Sequence, residues 1–202
     1  MIKRPKFIVF SGGCYSGKTT TMDIIAEPLR SKGYTVGILS ELVRTTNIVS
    51  IDDIRSKPTE YLEFQMQVTP EKIRLEVAAW AEAKYDYILE DRSIVDSLFY
   101  LVFYTDKSKY TTADWIKYNQ LFELIEQHIE WTHNIYAQVL FFYPLEQMCF
   151  DKKFRPADID TIKHLESKMI LRLQLGYGFG PIMQKINLNK MTSIKDVLKL
   201  IV

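Results

Sequence analysis

Directly after the apolar run Phe7-Ile8-Val9-Phe10 the chain reads Ser11-Gly12-Gly13-Cys14-Tyr15-Ser16-Gly17-Lys18-Thr19-Thr20. From Gly12 to Thr19 this fits G-x-x-x-x-G-K-[ST], a spacing that ties a buried strand to a helix through a loop wrapped around phosphates. The glycines let successive backbone N–H groups turn inward, the lysine reaches the β/γ oxygens, and the Thr19 hydroxyl suits Mg²⁺. The flanks agree: residues 7–10 read as a fully buried strand, and 18–30 as a helix whose positive N-terminal end faces the anion. The loop residues Gly12, Gly13, Cys14, Tyr15, Ser16, Gly17, Lys18, Thr19 and Thr20 are therefore expected to hold a nucleoside triphosphate, ATP with Mg²⁺.

The rest of the composition narrows the partners. At 202 residues, with no Pro/Gly/Ser-rich linker and no internal repeat, one domain over 1–202 is expected. A formal net charge of +1 gives no general pull toward nucleic acid or an anionic membrane. Apolar stretches are interrupted well short of the ~18 residues a membrane span needs. The two cysteines, Cys14 and Cys149, and the lack of a secretory leader fit a reducing cytoplasmic setting.

Strand and helix patterns alternate after the first unit, which predicts an α/β fold with a parallel sheet flanked by helices. Strands are expected at 34–39, 87–90, 137–143 and 182–186. Pro58 to Gln67 read as a helix, and Thr69-Pro70-Glu71 opens a second to about Lys84, the two forming either separate helices or one kinked helix. An apolar helix over 94–104 reads as core. Thr111-x-x-Asp114 resembles a capping box opening a helix to about Trp131. A polar segment, about 144–158, carries Lys152, Lys153 and Arg155. A long helix follows with Ile159, Ile162, Leu165, Met169, Ile170 and Leu173 on its inner face, and residues 193–202 close the chain as a helix.

In an open parallel sheet the ligand sits at the carboxyl ends of the strands. The second strand ends in Glu41 and Arg44, the third in Asp91 and Arg92. Glu41 and Arg44 read either as site residues or as a solvated pair at a helix start. Asp91, closing a buried apolar strand, is the acid expected at Mg²⁺ or its waters.

Taken in order, Gly12 to Thr19, Ser40-Glu41-Leu42-Val43-Arg44, Phe64-Gln65, Asp91-Arg92-Ser93-Ile94-Val95-Asp96, Phe154-Arg155-Pro156-Ala157-Asp158 and Leu175-Gly176-Tyr177 carry a family resemblance. The chain resembles the P-loop AAA-type ATPases related to nicotinamide riboside kinase and, more distantly, is similar to deoxynucleoside and thymidylate kinases. Residues 105–133 match no pattern of that family. The resemblance implies a P-loop kinase-like fold with a five-stranded parallel sheet and a lid, about 144–158. It also implies catalytic roles for Lys18, Glu41, Asp91, Arg92 and Arg155. Lys18 and Thr19 would hold phosphates and Mg²⁺, with Asp91 at the metal. Glu41 would activate the acceptor, Arg92 steer the acceptor or the phosphates, and Arg155 close over the transferring phosphoryl group. Phe64 and Gln65 would touch the acceptor, although Phe64 on an amphipathic helix equally suits the core.

His128, His133 and His164 lack metal-ligand spacing and read as ordinary polar or capping residues, and Cys14 as a spectator of the loop. Asn189-Lys190-Met191-Thr192 imitates the N-K-x-D guanine reader without its carboxylate, and its place suits an adenine-side loop. The leading expectation is an ATP-dependent kinase of a small molecule: a nucleoside, nucleotide or related riboside. A nucleotide-binding regulatory module of the same fold is the alternative. A polynucleotide 5′-kinase, which would need a basic groove to track a strand, is a third, disfavoured by the near-neutral charge. A homodimer is compatible with all of these.

Overall fold

In the computed structural model, which describes residues 3–45, 51–146, 159–191 and 194–201, the first apolar run becomes β1, Lys6–Ser11. It is followed by α1 (Lys18–Ser31), β2 (Val36–Leu39), a short α2 (Ile51–Arg55) and the long α3 (Pro58–Glu82). Next come β3 (Tyr87–Asp91), α4 (Ile94–Phe103), α5 (Thr112–Thr132) and β4 (Tyr136–Phe142). The chain ends with α6 (Ile159–Gly176), β5 (Met183–Ile186) and a 3₁₀ stretch, Ile194–Leu200.

The five strands form one sheet in the order β2-β3-β1-β4-β5, and every neighbouring pair is parallel. Side chains alternate across a strand, so β1 feeds two cores at once. Ile8 and Phe10 pack with Met22, Ile25 and Leu29 of α1 and with Val197 near the chain end. Phe7 and Val9 point the other way, toward Leu62 of α3, Leu98 of α4 and Ile125 of α5. Each large side chain fully buried in this way contributes about 1.5–3 kcal/mol.

This two-sided cover positions the site. The helix after β1 covers one face and the helix after its neighbour β3 covers the other. A crevice therefore opens between the two strands at their carboxyl ends.

Local signals explain three of the helix starts. Ser93 caps α4, and Thr111 caps α5, each through a reciprocal capping box with the aspartate three residues on. Pro58 sits at the start of α3, where its missing N–H costs nothing.

Around Pro70 the single-helix alternative holds: α3 is one helix, with Pro70 inside it. Other expectations are corrected. The second strand begins at Val36, because Thr35 instead bonds Asp86 at the strand entrance. Leu165, assigned to the inner face of α6, is 44% exposed, whereas Ile170 is fully buried; the face turned inward also carries Glu166 and Ser167. The closing segment is 3₁₀ over Ile194–Leu200 rather than α. Helix α2 was not foreseen. Among the described residues no helix is long and apolar enough to cross a membrane.

Candidate nucleotide and acceptor site

Gly12 and Gly17 take backbone angles that disfavour side chains, with φ +128° and +78°. At Gly12 the Phe142 carbonyl also comes so close that a Cβ would collide with it. The loop between them is braced from two helices. The Gly12 N–H donates to Asp96 Oδ1 at 3.1 Å, the Gly13 N–H to Ser167 Oγ at 3.3 Å, and the Cys14 N–H to Glu166 Oε2 at 3.0 Å. Asp96 Oδ2 further accepts from the Ser11 hydroxyl and the Ser93 N–H, both at 2.8 Å. Gln174 of α6 donates to the Ser11 and Ser93 hydroxyls at 2.9 and 2.6 Å. Loop, α4 and α6 thus share one buried hydrogen-bond knot.

Lys18 lies inside the loop. Its ammonium donates to the carbonyls of Gly12 and Gly13 at 2.9 and 2.7 Å and to Ser16 Oγ at 3.0 Å. Burial, with Arg92 nearby, lowers its pKa to about 8. The next residue, Thr19, donates its hydroxyl to Asp91 Oδ2 at 2.6 Å. The other carboxylate oxygen, Asp91 Oδ1, is buried without a hydrogen-bond partner. A hydroxyl beside a carboxylate with an orphaned oxygen is a donor set that fits a hard cation such as Mg²⁺.

On the acceptor side, Glu41 beyond β2 forms an ion pair with Arg92 beyond β3, both side chains largely buried. Arg92 holds a left-handed backbone, φ +75°, a conformation costing a non-glycine residue about 1–3 kcal/mol. Its N–H donates to Phe10 O at 2.9 Å, and its carbonyl accepts from Lys72 at 2.8 Å. The result aims the guanidinium at Glu41, with Nη1 donating to Tyr100 Oη at 2.8 Å.

A cleft of about 950 Å³, including its open mouth, runs from Cys14 past Glu41, Asp91 and Arg92 to Gln65 and Thr69 of α3. That is the size of a small-molecule site. Gln65 lines it. Phe64 does not; it packs with Tyr61, Val43, Ile54 and Val68, since the adjacent position on α3 faces a different neighbour. The Arg44 backbone lies in a 3₁₀ turn, Leu42–Thr45, but its side chain lies outside what is described. Lys152, Lys153, Arg155 and most of the anticipated lid also lie outside the described residues.

Several cleft residues escaped the sequence reading. Tyr100 of α4, a helix expected to be pure core, lines the cleft. Its i, i+4 neighbour Tyr104 hydrogen-bonds Glu166, and the two rings stack at 5.8 Å. Burial pushes Glu166 up, but hydrogen bonds from Cys14 and Tyr104 hold it below the usual carboxylate range. Arg55, the last residue of α2, stacks its guanidinium 3.6 Å from the Tyr104 ring centre. A spaced pair of tyrosines on an otherwise apolar helix was the one available signal.

On the wall of the cleft, Lys72 pairs with Glu90 and lies 2.9 Å from the buried Glu76, which meets His128 Nε2 at 2.7 Å. His133 stacks on Phe179 at 4.3 Å, and His164 is exposed. Asn189, from the guanine-reader look-alike, clamps the loop after β4 through the Pro144 carbonyl and the Glu146 N–H, both at 3.1 Å.

A parallel five-stranded sheet, a phosphate loop at the end of its central strand and a cleft alongside define a P-loop nucleotide-binding domain of the kinase-like α/β fold. The chain belongs to the AAA_28 family of AAA domains, whose profile matches residues 7–174. Among solved structures it is similar to a NadR protein in complex with NR, with a TM-score of 0.70 at 15% identity, covering 98% of this chain and 50% of that one. It is also similar to a NadR protein in complex with NAD and AMP-PNP, with a TM-score of 0.64 at 14% identity, covering 98% of this chain and 48% of that one. The chain thus spans about half the length of those proteins. No match was found among curated proteins.

Proposed function

We propose that the chain is an ATP-dependent phosphotransferase acting on a small molecule, a nucleoside, nucleotide or related riboside. The observation that carries this reading is the cleft that continues from the phosphate loop onto Glu41, Arg92 and Gln65, contributed by three different elements. A domain that only bound a nucleotide would not need a second, walled compartment beyond the phosphates. Similarity to a NadR protein in complex with NAD and AMP-PNP supports an adenine nucleotide as donor, and similarity to one in complex with NR supports a riboside-like acceptor.

In this reading Lys18 holds the β/γ-phosphates, and Thr19 with Asp91 holds Mg²⁺. The metal, when bound, neutralises charge on the phosphate oxygens. Glu41 accepts a hydrogen bond from the acceptor hydroxyl and orients it for in-line attack, while Arg92 fixes both Glu41 and the acceptor. Arg155 closes over the transferring group.

The test is a combined thermal-shift and ATP-consumption screen against nucleosides, deoxynucleosides, their monophosphates and nicotinamide riboside. At least one acceptor should raise ATP consumption well above the acceptor-free rate. If ATP binds and no acceptor raises consumption, the regulatory module replaces the kinase.

A further inference from the structure

Among the described residues, Arg55 is the cation of the cleft wall for which no carboxylate ion pair is seen. Arg92 is paired with Glu41, and Lys72 with Glu76 and Glu90. The Arg55 guanidinium lies over the Tyr104 ring at 3.6 Å and 5.7 Å from the Tyr100 ring centre. Its Nε and Nη1 are buried with no hydrogen-bond partner. Those two atoms carry three N–H donors, none of which can be shed, because an arginine does not lose its proton in a protein.

The carboxylate on that wall that acts on Arg55 is Glu166, whose oxygens accept from the Cys14 N–H, the Tyr104 hydroxyl and, at 3.5 Å, the Tyr100 hydroxyl. It lowers the local potential without meeting the guanidinium. Stacking on tyrosine offsets part of the cost of burying the cation, but three unsatisfied donors at a ligand cleft are unusual enough to require an explanation. A guanidinium that is planar, fixed by an aromatic face and short of acceptors suits an oxyanion.

We infer that the acceptor is an anion, and that Arg55 receives its phosphate or carboxylate group at the α2–α3 wall. The inference rests on the phosphotransferase reading and narrows its substrate class from nucleosides at large to acidic ones. Placement argues for the acceptor over the donor: Arg55 shares its wall with Tyr61 and Gln65 of α3, not with the helix that begins at the phosphate loop. Tyr61, Tyr100, Tyr104 and Glu166 are the titratable groups facing it.

The test is equilibrium binding, by calorimetry in the presence of Mg²⁺-ADP, of matched pairs that differ in the anion. Adenosine with AMP and thymidine with TMP report phosphate; uridine with orotidine reports carboxylate. For wild type at least one anionic member should bind about 10-fold or more tighter than its neutral partner. Arg55→Gln should erase that difference, and Arg55→Lys should restore part of it, while AMP-PNP affinity and melting temperature stay near wild type.

Equal or tighter binding of every neutral partner would overturn the inference. So would an Arg55→Gln variant that loses AMP-PNP affinity alone, which would assign Arg55 to the donor. Binding needs no turnover, so the two readings fail separately. An Arg55-dependent anion preference without phosphoryl transfer would remove the kinase and keep the anion site; transfer to neutral nucleosides, untouched by Arg55→Gln, would do the reverse.

Discussion

Thr19 and Asp91 meet across the crevice between β1 and β3, the hydroxyl donating to Oδ2 at 2.6 Å while Oδ1 stays buried and unbonded. The two residues are 72 positions apart, and parallel pairing of β1 with β3 brings their ends together. Asp91→Asn removes the negative charge but keeps an oxygen for Thr19. The Mg²⁺ concentration for half-maximal ATP use should rise about 10–100-fold, with metal-free nucleotide binding little changed. A metal titration of ATP consumption checks this, and an unchanged midpoint would take Asp91 away from the metal.

Glu41→Gln should leave Mg²⁺-ATP binding nearly intact and slow transfer to the acceptor by roughly 10²–10⁴-fold, the range for a positioned base. The ion pair with Arg92 adds a second effect, because the variant leaves a buried guanidinium facing a neutral amide. Melting should therefore be measured beside turnover. If Glu41→Gln loses metal-nucleotide binding and Asp91→Asn loses only transfer, the two roles are exchanged.

Lys18→Ala should abolish productive ATP use, since the ammonium is the point charge placed inside the loop, bonded to two of its carbonyls. Turnover at the parent rate would remove the loop from the chemistry.

Asp96→Ala tests the knot rather than the chemistry. It strips acceptors from the Ser11 hydroxyl, the Gly12 N–H and the Ser93 N–H, all buried. A loss of about 2–4 kcal/mol in stability is expected, together with weaker nucleotide binding. A stable variant with unchanged nucleotide affinity would mean that the loop holds its shape without α4.

The contrast between Asp96 and Arg55 shows what the sequence could disclose. The phosphate loop, the five-stranded parallel sheet and the capping box at Thr111 are local or periodic patterns, so they were legible. Asp96 stood inside a readable motif, but its reach back to Gly12 depends on how α4 leaves β3. Arg55 sits on a five-residue helix with no periodic signal, and Glu166 on a face of α6 whose partner is the phosphate loop. Tertiary contact alone reveals both. Phe64 and Gln65 illustrate the same limit, since adjacent helix positions differ by about 100° and only packing decides which one faces the cleft.

The buried cluster at the cleft wall yields a pH prediction. Burial raises Glu76, but the Lys72 charge and hydrogen bonds from Glu90 and His128 outweigh it and hold Glu76 well below the usual carboxylate range. Glu90 goes the other way: burial and the Glu76 charge raise it well above that range. These opposite directions assign the proton of the pair to Glu90 and the charge to Glu76, which is the assignment that variants of the two residues test. Linkage then gives opposite signs. Glu76 contributes stability that is present above its ordinary value, 4.5, and is lost as pH falls below it. Glu90 keeps its proton in the fold where the unfolded chain has released it, so its contribution weakens as pH rises above 4.5. Glu90→Gln mimics the protonated acid: an oxygen remains for Lys72 and an N–H for Glu76. It should be neutral or stabilising at pH 7 and should flatten the decline above pH 4.5. Glu76→Gln should cost about 1–3 kcal/mol at pH 7. Urea unfolding of both variants and wild type at pH 5, 7 and 8.5 decides the matter. If Glu90→Gln costs as much at pH 7 as Glu76→Gln, Glu90 carries the charge and the assignment reverses.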